Sequence, residues 1–276
     1  MEERVFTWQT TDNLRIFARE WVGSDAPRGI VCLVHGLGEH SGRYQPLAQA
    51  LTANGYNVLT YDQRGHGQSA GRRGDTPTYE ALLADIDRLL EEAEKRYSGL
   101  PVFLYGHSLG GNLVLNYILR RRPALSGAVV TSPWLKLAFE PPAWQILLAR
   151  IMNRIWPRFT QKNGLDPEDL SHDAACVAAY SPDGLVHDRI SARLYWLVHE
   201  AGRWALDNAA EFHLPLLLMH GTGDRITSVA ASREFAAQLS DQVTFKAWEG
   251  LRHELHNEQE RTEVIEYILS WLGAKS

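Results

Sequence analysis

The sequence predicts an α/β architecture, in which helices flank both faces of a mostly parallel eight-stranded sheet and a helical cap is inserted late in the chain. Three observations carry that expectation. Short apolar runs end at polar or Gly-rich corners, as strands do. Longer stretches with apolar residues at helical spacing alternate with them, the pattern of parallel strands covered by helices. One long interval, from about residue 134 to residue 212, is rich in Trp and Leu and breaks the rhythm.

The elements follow in order. Residues 4–8 and 14–21 are β-rich, and residues 30–35, 56–62 and 102–107 are apolar runs closed by polar corners. Between the last two, residues 78–97 carry Leu82, Leu83, Ile86, Leu89 and Leu90 at helical spacing, with acids and bases on the other side. A helix is expected from Leu109 to Arg120. Strands at 125–131, 214–220 and 243–248 follow, and residues 259–272 close the chain as an amphipathic helix. The core is therefore expected at 1–132 and 213–276, and the cap at 133–212. There are no internal repeats and no low-complexity tract.

Composition narrows the classes of function. The chain has 276 residues, 45% of them hydrophobic and 22% charged, with a formal net charge of −5. That is enough apolar material for a full core. The acidic balance and the absence of a long Lys/Arg run argue against nucleic acid as a partner. Arg72-Arg73 and Arg120-Arg121-Arg122 read as solvated surface or a helix C-terminus. Of the two cysteines, Cys32 sits in the apolar run Ile30-Val31-Cys32-Leu33-Val34 and reads as a structural thiol, and nothing argues for a disulfide with Cys176. Met1-Glu2-Glu3-Arg4 lacks the pattern of a signal peptide, and no apolar run approaches the roughly 20 residues needed to cross a bilayer. The expectation is a cytoplasmic protein without cofactor or metal. Gly36 and Gly38 lack the remaining residues of a dinucleotide fingerprint, and His35, His40 and His66 come without the carboxylate pattern of a metal site.

The chemistry concentrates at Gly106-His107-Ser108-Leu109-Gly110-Gly111, which follows one strand and opens a helix. In that context G-x-S-x-G is the nucleophile elbow of the α/β-hydrolase fold, and Gly106 and Gly110 give the backbone room for its strained turn. A serine hydroxyl needs a base, and the base needs an orienting acid. In this fold they follow in the order Ser, acid, His. Asp224 lies in the turn Gly221-Thr222-Gly223-Asp224-Arg225 after one strand, and His253 lies in the loop after the next. The corner Thr131-Ser132-Pro133 offers no alternative carboxylate. Donors for a developing oxyanion are expected from the backbone N–H of Leu109 and, in the loop His35-Gly36-Leu37-Gly38, of Leu37. Asp62, Arg64 and His66 read as a structural hydrogen-bond network below the site, since buried charges persist by pairing.

His35-Gly36-Leu37-Gly38-Glu39-His40-Ser41-Gly42-Arg43-Tyr44 resembles the signature loop of monoacylglycerol lipases and their lysophospholipase-like relatives. So do Asp62-Gln63-Arg64-Gly65-His66-Gly67-Gln68-Ser69, the elbow, and His253-Glu254-Leu255-His256-Asn257-Glu258. The resemblance implies cleavage of the single acyl chain of a monoglyceride, with the insertion capping the acyl pocket. It also implies that Glu39, Arg43, His256 and Tyr180 surround the glycerol head group. Lysophospholipase, general carboxylesterase, thioesterase or small-amide peptidase activity on the same triad are the alternatives. A non-catalytic binding protein conflicts with the intact triad, and dehalogenase or epoxide hydrolase chemistry would need an aspartate in place of Ser108. The chain departs from the pattern in two respects. Its tryptophans Trp134, Trp144, Trp156, Trp196 and Trp204 match the cap only loosely, and Glu254 stands where an apolar residue is usual.

Within the cap, Trp144, Leu147, Leu148, Ile151 and Ile155 trace an apolar stripe at helical spacing. It reads either as packing down onto the core or as a lid face that meets lipid or a micelle, and the two can coexist. A peripheral position at a membrane surface follows from the second reading.

Overall fold

The computed structural model describes residues 1–139, 141–239 and 242–275; Glu140 of the expected cap and Ser240, Asp241 and Ser276 of the expected core lie outside it. The elements in chain order are β1 (Glu2–Gln9), β2 (Arg15–Val22), β3 (Gly29–Val34), α1 (Gln45–Ala53), β4 (Tyr56–Tyr61), α2 (Tyr79–Tyr97), β5 (Val102–His107), α3 (Leu109–Arg121) and β6 (Gly127–Thr131). Then come α4 (Ala143–Ile155), β7 (Thr160–Lys162), α5 (Ala174–Tyr180), β8 (Arg189–Ser191) and α6 (Ala192–Asp207). The chain finishes with β9 (Leu216–Gly221), α7 (Val229–Ala237), β10 (Val243–Trp248) and α8 (Arg261–Gly273).

Eight strands form one sheet in the order β1-β2-β4-β3-β5-β6-β9-β10. β2 is antiparallel to both of its neighbours, and every pairing from β4 across to β10 is parallel. The central strands β3 and β4 are buried along their whole length. Parallel strands covered on both faces need no polar side, which is why they read as continuous apolar runs. Side chains nevertheless alternate between two cores. Ile30, Cys32 and Val34 join the layer under α2, α3, α6 and α7, whereas Val31 and Leu33 join the layer under α1 and α8. Cys32 is a free, fully buried thiol, and burial pushes its ionisation up.

Local signals explain the helix ends. Thr78 is the N-cap of α2, its side chain accepting from the Ala81 N–H at 3.0 Å, and Lys95 and Arg96 occupy the last turn, where cations are favoured. The final helix starts at Arg261, two residues later than its apolar pattern suggests.

Between β6 and β9 the chain forms α4, α5 and α6, together with a two-stranded antiparallel ribbon of β7 and β8. The expectation of a mostly helical insertion misses this ribbon. Three-residue strands carry too little alternation to be read, and their pairing is made far along the chain, Thr160 facing Ser191. Buried polar contacts fix the segment to the core at its C-terminal end. Ser191 Oγ donates to Asp75 Oδ1 at 2.7 Å, Arg193 Nη2 donates to Asp75 Oδ2 at 2.8 Å, and Asn116 Nδ2 of α3 donates to the Ala201 carbonyl at 3.1 Å. α4 is different. Trp144 is 63% exposed, Leu147 55% and Ile155 75%, so the stripe does not pack down onto the core.

Below the site, Arg64 reaches Asp85 of α2 with two arms, Nε to Oδ2 at 2.7 Å and Nη2 to Oδ1 at 2.8 Å. Both side chains are almost fully buried. Asp62 instead holds the Ser41 N–H and hydroxyl and the Gln68 N–H, and His66 Nδ1 meets the Arg64 carbonyl. Removing Asp85 strands a buried guanidinium with only the half-exposed Asp12 for company. Asp85→Ala is expected to cost about 3–5 kcal/mol, the usual penalty for breaking a buried pair from one side. Urea unfolding of the two proteins, followed by the shift in midpoint, measures it.

Candidate active site

The corner between β5 and α3 has no spare residue. Ser108 follows the last residue of the strand and precedes the first of the helix, and it sits at φ 55° and ψ −115°. An L-residue resists positive φ. The corner is pinned by Ser108 N donating to the Thr131 carbonyl and by Trp134 N donating to the Ser108 carbonyl, each at 3.0 Å. Glycine is needed at Gly110 for close approach, because a Cβ there would stand 2.0 Å from the Val34 carbonyl oxygen. Leu109 opens α3, so its N–H is among the first-turn amides that have no partner inside the helix.

The loop after β3 lies against this corner. His35 carries its proton on Nδ1 and donates to the Gly36 carbonyl at 2.7 Å, while its Nε2 accepts from Gln63 N at 2.9 Å. Burial pushes this histidine down to about 4, in keeping with a neutral ring. In a trans peptide the N–H points opposite to the C=O. With the Gly36 carbonyl turned to His35, the Leu37 N–H is turned away from it. A Cβ on Gly36 would lie 3.2 Å from the Ser108 Cβ, which places the two loops side by side.

Asp224 and His253 are joined directly. His253 Nδ1 donates to Asp224 Oδ2 at 2.7 Å, and both residues are buried. Asp224 is held on every side. Oδ1 accepts from Ile226 N at 2.8 Å and Thr227 N at 3.0 Å, and Oδ2 accepts from the Thr227 hydroxyl at 2.8 Å and His220 Nε2 at 3.0 Å. Burial opposes its charge, but the charge of His253 and the bonds from His220 and His253 outweigh it and hold the carboxyl well below the usual range. His253 loses by burial and gains more from Asp224, with Glu254 and Glu39 adding to it, and its pKa is raised. The sequence reading misses His220, Thr227 and Ser132, whose hydroxyl donates to the His253 carbonyl at 2.8 Å. An aspartate followed two and three residues later by amides that turn back on it was the one local signal available.

Ser108, His253, Leu37 and Glu39 share a cavity of about 740 Å³. Its far walls come from the segment between β6 and β9, with Trp134, Trp144, Leu148, Met152, Phe159 and Tyr195 among the lining side chains. Tyr180 lines it too, and its hydroxyl lies 3.6 Å from where a Gly38 Cβ would stand. Arg43 and His256 stand behind the cavity wall. The Arg43 guanidinium lies 4.7 Å from the Tyr180 ring centre and pairs with Glu39 and Glu254. His256 is buried, stacked on Tyr44 at 4.7 Å and edge-on to His107 at 5.1 Å. Among the described residues no cluster of His, Cys, Asp or Glu could hold a metal ion.

The profile of the family described as "Serine aminopeptidase, S33" matches residues 25–260. A protein of Dictyostelium discoideum described as an uncharacterized abhydrolase domain-containing protein is 37% identical over 99% of this chain, which spans only 29% of that protein's length. Monoacylglycerol lipase of Mycolicibacterium smegmatis is 33% identical, over 94% of this chain and 93% of its own. The crystal structure of Paleococcus ferrophilus monoacylglycerol lipase superposes with a TM-score of 0.85 at 36% identity, covering 100% of both chains.

The electrostatics predict distinct titrations for histidines that touch each other. His253 gains from Asp224 and should titrate above the ordinary value of about 6.5. His107 stays neutral far below that value, and burial holds His256 down to about 4. Imidazole NMR between pH 5 and 9 should find the His253 signals moving while those of His107 and His256 stay fixed.

Proposed function

The chain belongs to the serine aminopeptidase S33 family and has the α/β-hydrolase fold, and from that premise we propose that it is a serine ester hydrolase of the monoacylglycerol lipase type. One observation carries the reading: the strained Ser108 and His253, which Asp224 holds from behind, open onto the same largely apolar cavity. In the mechanism we propose, Ser108 Oγ attacks the ester carbonyl and His253 takes its proton. Asp224 fixes the imidazole tautomer and stabilises the cation. The backbone N–H groups of Leu37 and Leu109 receive the oxyanion of the tetrahedral intermediate. His253 then protonates the departing alcohol, and water hydrolyses the acyl-enzyme by the same relay to release the fatty acid.

The family's name raises an aminopeptidase as the competitor. A free α-ammonium would need an uncommitted carboxylate in the cavity. Of the four acidic residues that line it, Glu39 and Glu254 are already paired with Arg43, Asp169 faces Arg225, and Asp166 caps the turn after it by accepting from the Glu168 N–H. An apolar cavity of this size suits an acyl chain better. We place the acyl chain along Trp144, Leu148 and Met152, and the alcohol on the side of Tyr180 and Glu39, with residues 133–212 acting as the cap. Arg43 and His256 support that polar side from behind.

The exposed stripe of α4 fits a further part of the proposal, docking of the cap on a lipid surface. Trp144 and Leu148 both line the cavity and reach solvent, so the stripe borders the cavity mouth. An exposed apolar patch of this kind marks an interaction surface. Among the described residues no helix is long and apolar enough to cross a membrane, so the contact would be peripheral.

Two measurements follow. Ser108→Ala should remove turnover except for the roughly 10³–10⁴-fold enhancement over water left by binding and the oxyanion donors, and Asp224→Asn should lower kcat by about 10⁴-fold. Release of free glycerol from a monoglyceride identifies the reaction, and a folded Ser108→Ala protein with normal esterase activity would sink it. Leu147→Glu with Ile151→Glu should slow hydrolysis of a monoglyceride presented in anionic or neutral vesicles by about tenfold or more, since each buried aliphatic side chain contributes roughly 1.5–3 kcal/mol. Hydrolysis of a dissolved short-chain ester should be unchanged. Equal rates on vesicles would show that α4 meets no lipid.

A further inference from the structure

The two loops that would supply the oxyanion donor and the base come from β3 and β10, and three strands lie between these in the sheet. No backbone ladder sets the distance between them. A buried chain of charges links them, beside the stacking of Tyr44 on His256. Glu39, in the first loop, uses Oε1 to accept from the Gly36 N–H at 2.6 Å and from the Tyr44 hydroxyl at 2.7 Å. Its Oε2 accepts from Arg43 Nε at 3.3 Å. The far end of the same guanidinium crosses to the second loop, where Nη2 donates to Glu254 Oε1 at 2.9 Å and Oε2 at 2.7 Å. Glu254 follows His253 directly, and it also accepts from Asn257 Nδ2 at 2.7 Å. The side chains are 3%, 8% and 3% exposed for Glu39, Arg43 and Glu254, and the Tyr180 ring covers the guanidinium.

We propose that Arg43 and Glu254 are positioning residues: with Glu39 they form a buried strap that holds Gly36, and with it the Leu37 N–H that follows, against His253, and so set the rate for any ester rather than the choice of alcohol. The inference rests on the serine triad proposed above and assigns a role within that site. Three features support it. Glu39 has both oxygens engaged by the protein before any substrate arrives. Arg43 is absent from the cavity wall, where Glu39 and Glu254 are present. The other hydrogen bonds of the base loop, among them Ser132 to the His253 carbonyl, the Glu254 N–H to the Leu170 carbonyl, the Gly223 N–H to the Leu251 carbonyl and His253 to Asp224, run to other segments and not to the loop after β3.

The strap also carries an unbalanced charge, two carboxylates against one guanidinium. The groups around His253 are Asp224 from the corner after β9, His107 at the end of β5, Glu39 and Arg43 from the loop after β3, and Glu254 and His256 on its own loop. His107 and His256 are neutral at working pH. A negative neighbour favours the imidazolium, so removing the Glu254 charge lowers the pKa of His253 and the rate then rises at lower pH.

The experiment compares the unsubstituted protein with Glu254→Gln and Arg43→Lys on a monoglyceride and on the methyl ester of the same acid, across pH. Glu254→Gln is expected to move the acid limb of kcat/KM down by up to about one unit. It should also lower kcat about tenfold on both esters with little change in KM, as a misplaced catalytic group does. Arg43→Lys keeps the charge and loses the two-ended fork, so kcat should fall on both esters while the limb stays in place. A limb unmoved in Glu254→Gln, or a loss in Arg43→Lys confined to the monoglyceride, overturns the strap. A fluorophosphonate that labels Ser108 in all three proteins separates the two readings. Absence of labelling in the unsubstituted protein overturns the serine mechanism together with the strap, whereas labelling with an unmoved limb overturns the strap alone.

Discussion

The site depends on a backbone conformation that its own residue resists. Ser108 at φ 55° stores strain of about 1–3 kcal/mol, and such strain persists only where the surroundings over-determine it. Here the surroundings are the sheet. The strained corner bonds to Thr131 at the end of the neighbouring strand and to Trp134 beyond it, so straightening Ser108 would break bonds to the next β-corner. The same corner packs Gly110 onto the Val34 carbonyl, at the root of the loop that carries Leu37. One strained residue thus registers three chain segments against each other.

Buried charge is handled in two ways within this frame. Arg64 and Asp85 form a closed pair whose donors and acceptors match, and their surroundings gain rigidity without reactivity. Asp224 is open by comparison. Four donors from its own turn, β9 and the Thr227 side chain hold it ionised, and the fifth is His253, which lines the cavity together with Ser108. A carboxylate already stabilised by fixed dipoles needs no reorganisation when its partner becomes a cation. Burial around His253 then works for the site, since the low dielectric strengthens each of these contacts.

What could be read from the sequence follows from how local each feature is. The inner strands β3, β4, β5, β6 and β9 were legible because buried parallel strands are near-continuous apolar runs, and α2 because its stripe and its Thr78 cap are both local. Ser108, Asp224 and His253 were legible because each sits at a corner following a strand, in a fixed order. The partners of the acid were not. His220 reads as the end of an apolar strand, and its bond to Asp224 depends on a turn whose shape only the fold determines. The Arg43–Glu254 pair is less legible still, joining positions 211 apart. The short ribbon of β7 and β8 has the same character, with too few residues to show a period and a partner out of local reach.

The segment over the cavity faces opposing demands from solvent. Its inner side must be apolar to take an acyl chain and to keep water from the strengthened electrostatics around His253. Its outer side would ordinarily be polar, as on any amphipathic surface helix. α6 obeys this rule, burying Leu194, Val198 and Ala205 and holding to the core through Asn116 and Asp75. α4 breaks it, with Leu147, Ile151 and Ile155 exposed alongside the Trp144 and Leu148 that border the cavity. Exposed apolar area of this extent is a liability unless an apolar phase meets it. On the proposed reading that phase is the lipid holding the substrate. An acyl chain could then pass from lipid to cavity along one continuous apolar edge, without the roughly 0.8 kcal/mol that each methylene would cost on entering water. On that proposal the polar welds of α6 and the bare face of α4 are complementary: one end of the segment would fix the cavity, and the other would be matched to the medium from which the substrate comes.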